Sequence, residues 1–164
     1  METPKKLSSK VVALLLERHT DEMDAFYFYA GAANWCDIQG FAKLADFFRQ
    51  ESLDEREHAK LIEKYLVDWN VNPKLERVDA PKTEFKNIHD LFSQAYQIEY
   101  ALYEAYEDTS KEMFNLDLCA FDFLTPLRKI QNDSVIEYSN YLNQLQLIKE
   151  DDKFQHLWFN EHFS

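Results

Sequence analysis

Two glycines and four prolines in 164 residues constrain this chain more than any other feature it has. They amount to about 4% of it, where ordinary composition would put roughly 12%. Sandwiches, barrels and alternating α/β folds need many tight turns, and these two residues are the main turn formers. Long helices with few connections remain. Hydrophobic residues reach 46% and aromatics 15%, with 13 Phe, 9 Tyr and 3 Trp, so material for a core is ample and wholesale disorder is excluded. The length fits a single domain over residues 1–164.

Hydrophobic periodicity divides that domain. Ser8 or Ser9 can cap a helix over about residues 8–34, with Val11, Leu15, Ala25 and Tyr29 along it. A second helix over about 40–69 puts Phe41, Leu44, Phe48, Ile62, Leu66 and Trp69 on one face. Pro73 and Pro81 mark the stretch 70–86 as a long ordered connection. A third helix over about 87–114 carries Ile88, Phe92, Ala95, Leu102 and Tyr106, and a fourth over about 117–148 carries Leu124, Leu127, Tyr138, Leu142 and Leu145. A tail helix is expected at 152–160, within an aromatic cluster of Phe154, Trp158, Phe159 and Phe163. Short links make antiparallel neighbours, whereas a link of about 17 residues can span a helix and leave helices two and three parallel. The expected fold is all-α, a four-helix bundle with one long crossover and a short C-terminal helix.

The balance of 18 Lys+Arg against 30 Asp+Glu gives a net charge of −12 and a pI near 4.8. That disfavours nucleic-acid backbones and anionic membranes as partners and favours cations. No apolar run is long enough to span a bilayer, and Met1 to Lys10 is polar without a signal-peptide core, so a cytoplasmic protein is expected. Cys36 and Cys119 belong to no paired motif and read as thiols in a reducing compartment.

Each long helix interrupts its own apolar stripe near the middle. Glu22 is seven residues from both Leu15 and Tyr29; Glu55 is seven from Phe48 and Ile62, with His58 three residues on. Glu99 is seven from Phe92 and Tyr106, and Gln131 is seven from Leu124 and Tyr138. Carboxylate, carboxylate with imidazole, carboxylate and amide therefore face inward at one height. An uncompensated buried carboxylate is costly, and no Lys or Arg shares these faces at that height, though Arg18 lies one turn away. A bound cation is the simplest compensation. Glu from two helices with Glu-x-x-His on others is the ligand pattern of bundled di-iron and di-manganese centres. Glu55 and His58 form one full Glu-x-x-His; Gln131 and Ser134 form a degenerate one, so two metal positions of unequal strength are expected.

Other polar residues receive simpler assignments. His19, His89, His156 and His162 have no partner at ligand spacing and are expected at the surface. Asp151 and Asp152 are expected to be solvated, as is Asp54, which also lies close enough to Glu55 to serve an access path.

The chain resembles the non-haem ferritins along most of its length. The resemblance rests on Asp21-Glu22-Met23 followed by Tyr29, on Asn34-Trp35-Cys36, and on Phe47-Phe48 through Glu55-Arg56-Glu57-His58-Ala59-Lys60. It continues in Asp79-Ala80-Pro81, in Leu91 through Glu99, and in Phe121-Asp122-Phe123-Leu124 up to Gln131. By that resemblance Glu22, Glu55 and His58 would hold a first iron, Glu55 would bridge, Glu99 would hold the second, and Gln131 would bond to water or oxygen beside the pair. Tyr29 matches the tyrosine that ferritins keep next to this ferroxidase centre. Ser134 stands where bacterial ferritins often have a Glu, which weakens a third iron site and brings the centre closer to the animal H-type. Gln131-Asn132-Asp133-Ser134 replaces the second Glu-x-x-His that a haem-containing bacterioferritin would carry, so no haem is expected. Two departures stand out. Pro126 lies inside helix four, where a kink would displace Gln131 and let Glu137 compete as a ligand. Leu157-Trp158-Phe159 matches the start of the fifth ferritin helix, but the sequence stops at Ser164.

The resemblance implies iron storage and detoxification in a homo-oligomeric cage of 24 subunits, with two irons per subunit. Its substrates would be Fe(II) and dioxygen or hydrogen peroxide. Two ferrous ions bridged by Glu55 could each pass one electron to dioxygen, and carboxylates favour the ferric product. A rubrerythrin-like di-iron oxidase or peroxidase would share the bundle, but this chain has no Cys-x-x-Cys module for its electron supply. A helical interaction protein without catalysis would pair its buried polar residues internally. A DNA-protecting mini-ferritin would take its ligands from a dimer interface instead.

Overall fold

A computed structural model describes all of residues 1–164. Five helices and no strands follow one another: α1 (Ser9–Gln39), α2 (Ala42–Asp68), α3 (Ile88–Leu116), α4 (Leu118–Leu145) and α5 (Lys153–Glu161). Their starts have local causes. Ser8 Oγ accepts from the Val11 amide at 3.3 Å, Asn87 Oδ1 from Asp90 at 2.9 Å and Asp117 Oδ1 from Ala120 at 3.0 Å. Such caps contribute about 1 kcal/mol each.

Helix α1 runs five residues past its expected end at Asn34, because the stop signal is Gly40. Gly40 adopts φ 86°, and the amides of Gly40 and Phe41 bond back to Asp37 O at 3.0 Å and Cys36 O at 2.8 Å. This closure needs a left-handed residue. Trp35 and Cys36, expected in a link, are buried on the last turn of α1. Trp69, expected on the α2 stripe, instead follows that helix and is 38% exposed.

Cross-helix contacts fix the topology. Along α1 and α3, Tyr29 meets Glu99, Glu22 meets Tyr106 and Lys10 meets Glu112, a descending order against an ascending one. The two helices are therefore antiparallel. Helix α2 is antiparallel to α1 through the Gly40 turn, so α2 and α3 are parallel and residues 70–86 must cross the length of the bundle. The crossover lies against α1. A Cβ on Gly31 would come within 3.3 Å of Thr83 Cγ2 and 3.4 Å of Lys82 O. Phe85 sets its edge on the rings of Phe28 and Trp35.

One core of buried apolar residues runs through all four long helices and into α5. At one end it is aromatic: Phe92 touches Phe48, Tyr138, Tyr141, Phe159 and Phe163 with ring centroids 5.2–6.2 Å apart. Phe154 and Trp158, expected in this cluster, point to solvent. Asp152, expected to be free, accepts from the amides of Phe154 and Gln155 and caps α5. Phe41 gives α2 no side-chain cap; Asn160 of α5 does so from outside, its Oδ1 accepting from the Leu44 amide at 3.1 Å.

Two of the expected surface histidines hold this end together. The Nε2 of His89 lies 2.8 Å from Leu145 O and 3.0 Å from Ile148 O, and that of the buried His156 lies 3.1 Å from Lys149 O. They bond carbonyls at the end of α4 and in the link that follows it, of which Leu145 O and Lys149 O also accept backbone amides, and no side-chain spacing reveals such partners. His19 is also buried, with Nε2 3.5 Å from Glu63 Oε2; only His162 is exposed. No helix is long and apolar enough to cross a membrane.

Candidate metal centre

The interruptions of the four stripes converge. Glu22, Glu55, Glu99 and Gln131 are all buried, and His58 is partly so. Pro126 sits within a continuous α4, and Gln131 keeps its inward position: its Nε2 donates to Glu99 Oε2 at 2.5 Å and to Glu99 O at 2.8 Å. The displacement expected from Pro126 does not occur. Glu137, the expected rival ligand, is exposed and accepts the Tyr141 hydroxyl. Asp54 is exposed and accepts from Gln50 at 2.8 Å.

Two groups of ligand atoms share one residue. Glu22, Glu55 and His58 each bring one ligand atom within 4.8 Å of the others, and so do Glu51, Glu55 and Glu99. His58 Nδ1 lies 3.6 Å from Glu22 Oε2 and 3.8 Å from Glu55 Oε2. Glu55 is thus the common member between an imidazole-bearing group and an all-carboxylate one.

The supporting groups leave room for a cation. Tyr106 donates to Glu22 Oε1 at 2.6 Å and Tyr29 to Glu99 Oε1 at 2.5 Å. The remaining oxygen of Glu22 and Oε2 of Glu55 are buried without a hydrogen-bond partner. Arg18 does not neutralise them. Its guanidinium is spent on Asp21 Oδ2 at 2.9 Å, on Ala105 O at 3.3 Å and on the Thr109 hydroxyl.

Titration follows from this crowding. Burial raises Glu55 well above the ordinary carboxylate range, and the charges of Glu22, Glu99 and Glu51 add to it. Burial likewise raises Glu99, against the bonds from Tyr29 and Gln131. Glu51 is pushed up to about 8 by burial and by Glu99, Glu137 and Asp54. Burial also opposes the Glu22 carboxylate, but the nearby Glu55 and His58 and the bond from Tyr106 hold its pKa low. For His58 burial lowers the pKa, and the Glu22 carboxylate 3.6 Å away outweighs it, leaving it raised. The two shifts run in opposite directions, so a proton shared within this pair favours Glu55 over Glu22. A cation entering the centre would displace that proton.

Residues 12–148 match the ferritin-like domain. The chain belongs to the ferritin-like family. This ferritin-like chain is similar to the bacterial non-heme ferritins of Staphylococcus haemolyticus and Staphylococcus aureus. Each is 27% identical over 90% of this chain and 92% of the relative. Among solved structures, an open pore ferritin from the archaeon Archaeoglobus fulgidus superposes with a TM-score of 0.88 at 21% identity, covering 94% of both chains. A form of the A. fulgidus ferritin engineered to be closed gives 0.89 at 20% identity over 95% of each. The shared fold is the four-helix bundle with a short C-terminal helix.

Two residues of this buried cluster escape the reading of spacings. Tyr106 reads as apolar filling, since only the structure aims its hydroxyl at Glu22. Glu51 lies outside the stripe that Phe48, Glu55 and Ile62 mark at intervals of seven. Its separations of four from Glu55 and seven from His58 are the signal that finds it.

Proposed function

We propose that this chain oxidises ferrous iron and stores the ferric product, as a subunit of an iron-storage protein. The observation that carries the reading is the pair of ligand groups sharing Glu55. Two ferrous ions are the substrate, one held by Glu22, Glu55 and His58, the other by Glu55 and Glu99. Each gives one electron to dioxygen or peroxide, and a shared carboxylate keeps the two donors close enough to deliver a pair of electrons together. Oxygen ligands stabilise the ferric state, which then hydrolyses toward mineral. Tyr29 and Tyr106 orient Glu99 and Glu22, and Gln131 anchors Glu99 from α4. The names of the bacterial and archaeal relatives support iron storage, and their architecture supports a homo-oligomeric cage, which we put at 24 subunits. The acidic surface assists by drawing cations inward at a salt-dependent rate.

Anaerobic ferrous titration followed by exposure to air tests this. The wild type should oxidise about two irons per subunit rapidly, the count that two ligand groups imply, and Glu55→Ala should abolish the reaction. A wild type that takes up no iron, or a variant as fast as wild type, sinks the reading. Size measurement tests the cage separately, since a stable monomer or dimer contradicts storage but not oxidation.

A further inference from the structure

The two ligand groups are not equally furnished if only the residues that interrupt the stripes are counted. The first has two carboxylates and an imidazole. The second would have Glu55 and Glu99 alone, with Gln131 committing its Nε2 to Glu99. Glu51 stands one turn before Glu55 on α2, and one of its carboxylate oxygens lies within 4.8 Å of ligand atoms of both Glu55 and Glu99. No cation claims it: the neighbouring arginines of α2, Arg49 and Arg56, pair with Asp37 and Glu63. Glu55, which the group shares, is 3% exposed and keeps its Oε2 without a partner.

Carboxylate oxygens sit roughly 2.0–2.2 Å from a bound divalent ion, so neighbouring ligands around one ion are about 3–4 Å apart. A spacing of at most 4.8 Å closes to that by small side-chain rotations. We propose that Glu51 is a ligand of the second iron position, making it an all-carboxylate site beside an imidazole-bearing one. This inference rests on the proposed function and adds a residue to it. Its chemical consequence is a division of labour. Three anionic oxygens without nitrogen favour hard, highly charged cations, so the second position retains ferric iron more strongly than the first.

Anaerobic calorimetric titration of the intact protein with Fe(II) tests the assignment, comparing wild type, Glu51→Gln, Glu22→Gln and Glu137→Gln. The wild type should bind two ions per subunit in two classes. Glu51→Gln should weaken the second class at least tenfold and leave the first unchanged, whereas Glu22→Gln should weaken the first. Glu137→Gln, which removes a nearby exposed charge, should leave both unchanged. The metal-free Glu51→Gln protein should melt no lower than wild type, because one of several crowded carboxylates has gone. Two undisturbed classes in Glu51→Gln overturn the assignment, as does loss of both classes together, or equal weakening by Glu137→Gln. A wild type that binds no Fe(II) overturns the proposed function itself.

Discussion

The middle of the bundle and its α5 end are built on the same four apolar stripes and have opposite energetics. At the α5 end the buried rings of Phe48, Tyr138 and Phe159 all pack on Phe92, and among these four only the Tyr138 hydroxyl lacks a partner. In the middle Glu22, Glu55 and Glu99 are as deeply buried, with oxygens of the first two unpartnered. Tyr29 joins the layers: its ring stacks on Phe48 and Tyr138 at 5.8 and 6.1 Å, and its hydroxyl holds Glu99. Burial alone therefore does not say what a residue contributes. One layer supplies the stability that lets the other keep buried carboxylate oxygens without partners.

Substitution should break that symmetry of burial. Phe92→Ala should cost about 3–5 kcal/mol in denaturant unfolding, whereas Glu55→Gln in the metal-free protein should cost nothing or stabilise. A Glu55→Gln protein that unfolds as readily as Phe92→Ala would falsify the contrast. Tyr29→Phe tests the junction. It keeps the ring contacts but removes the donor to Glu99, for an expected loss of about 1–3 kcal/mol together with slower ferrous oxidation, read by stopped-flow absorbance.

Gly40→Ala lies at the α5 end but acts through the backbone alone, because no atom lies within 4 Å of the added Cβ and φ is 86°. About 1–2 kcal/mol of left-handed strain is expected, with Fe(II) binding unaltered. A loss of metal affinity in that variant would contradict the independence of the two layers.

The smallest effects are in pH, and they have opposite signs in the two layers. Glu55, Glu99 and Glu51 are raised by burial, so between their unfolded value near 4.5 and, for Glu51, about 8, the folded chain holds protons that the unfolded chain has released. Stability from each group is complete below 4.5 and lost as pH rises through that group's own folded value, about 8 for Glu51. Glu22, held low, acts in the other sense only in acid, below 4.5. His156 is lowered by burial and by His89, so its contribution is present above the unfolded value of 6.5 and lost as pH falls through the folded one. Hydrogen exchange on the metal-free protein should show α5 loosening on acidification while amides around Glu55 become better protected. Parallel changes in both layers would rule this out.

Much of the centre is legible in the chain because a helix converts spacing into direction. Intervals of seven put Glu22, Glu55, Glu99 and Gln131 inward, and i+3 puts His58 beside Glu55. Pro126 looked disruptive because its missing donor is a local fact, while the packing that keeps α4 continuous around it is not. The histidines at 89 and 156 are unreadable for a related reason, since their partners are backbone carbonyls at the end of α4 and in the link after it.

The sequence by itself determined helices, their lengths to within a few residues, and the height at which polar groups face inward, since all of these are set by neighbours along one chain. Only the tertiary structure decided that Glu51 joins Glu55 and Glu99, that Tyr106 serves Glu22, and that Asn160 caps α2. Distances between side chains on different helices depend on how the helices rotate and approach, and no periodicity within a single helix carries that information.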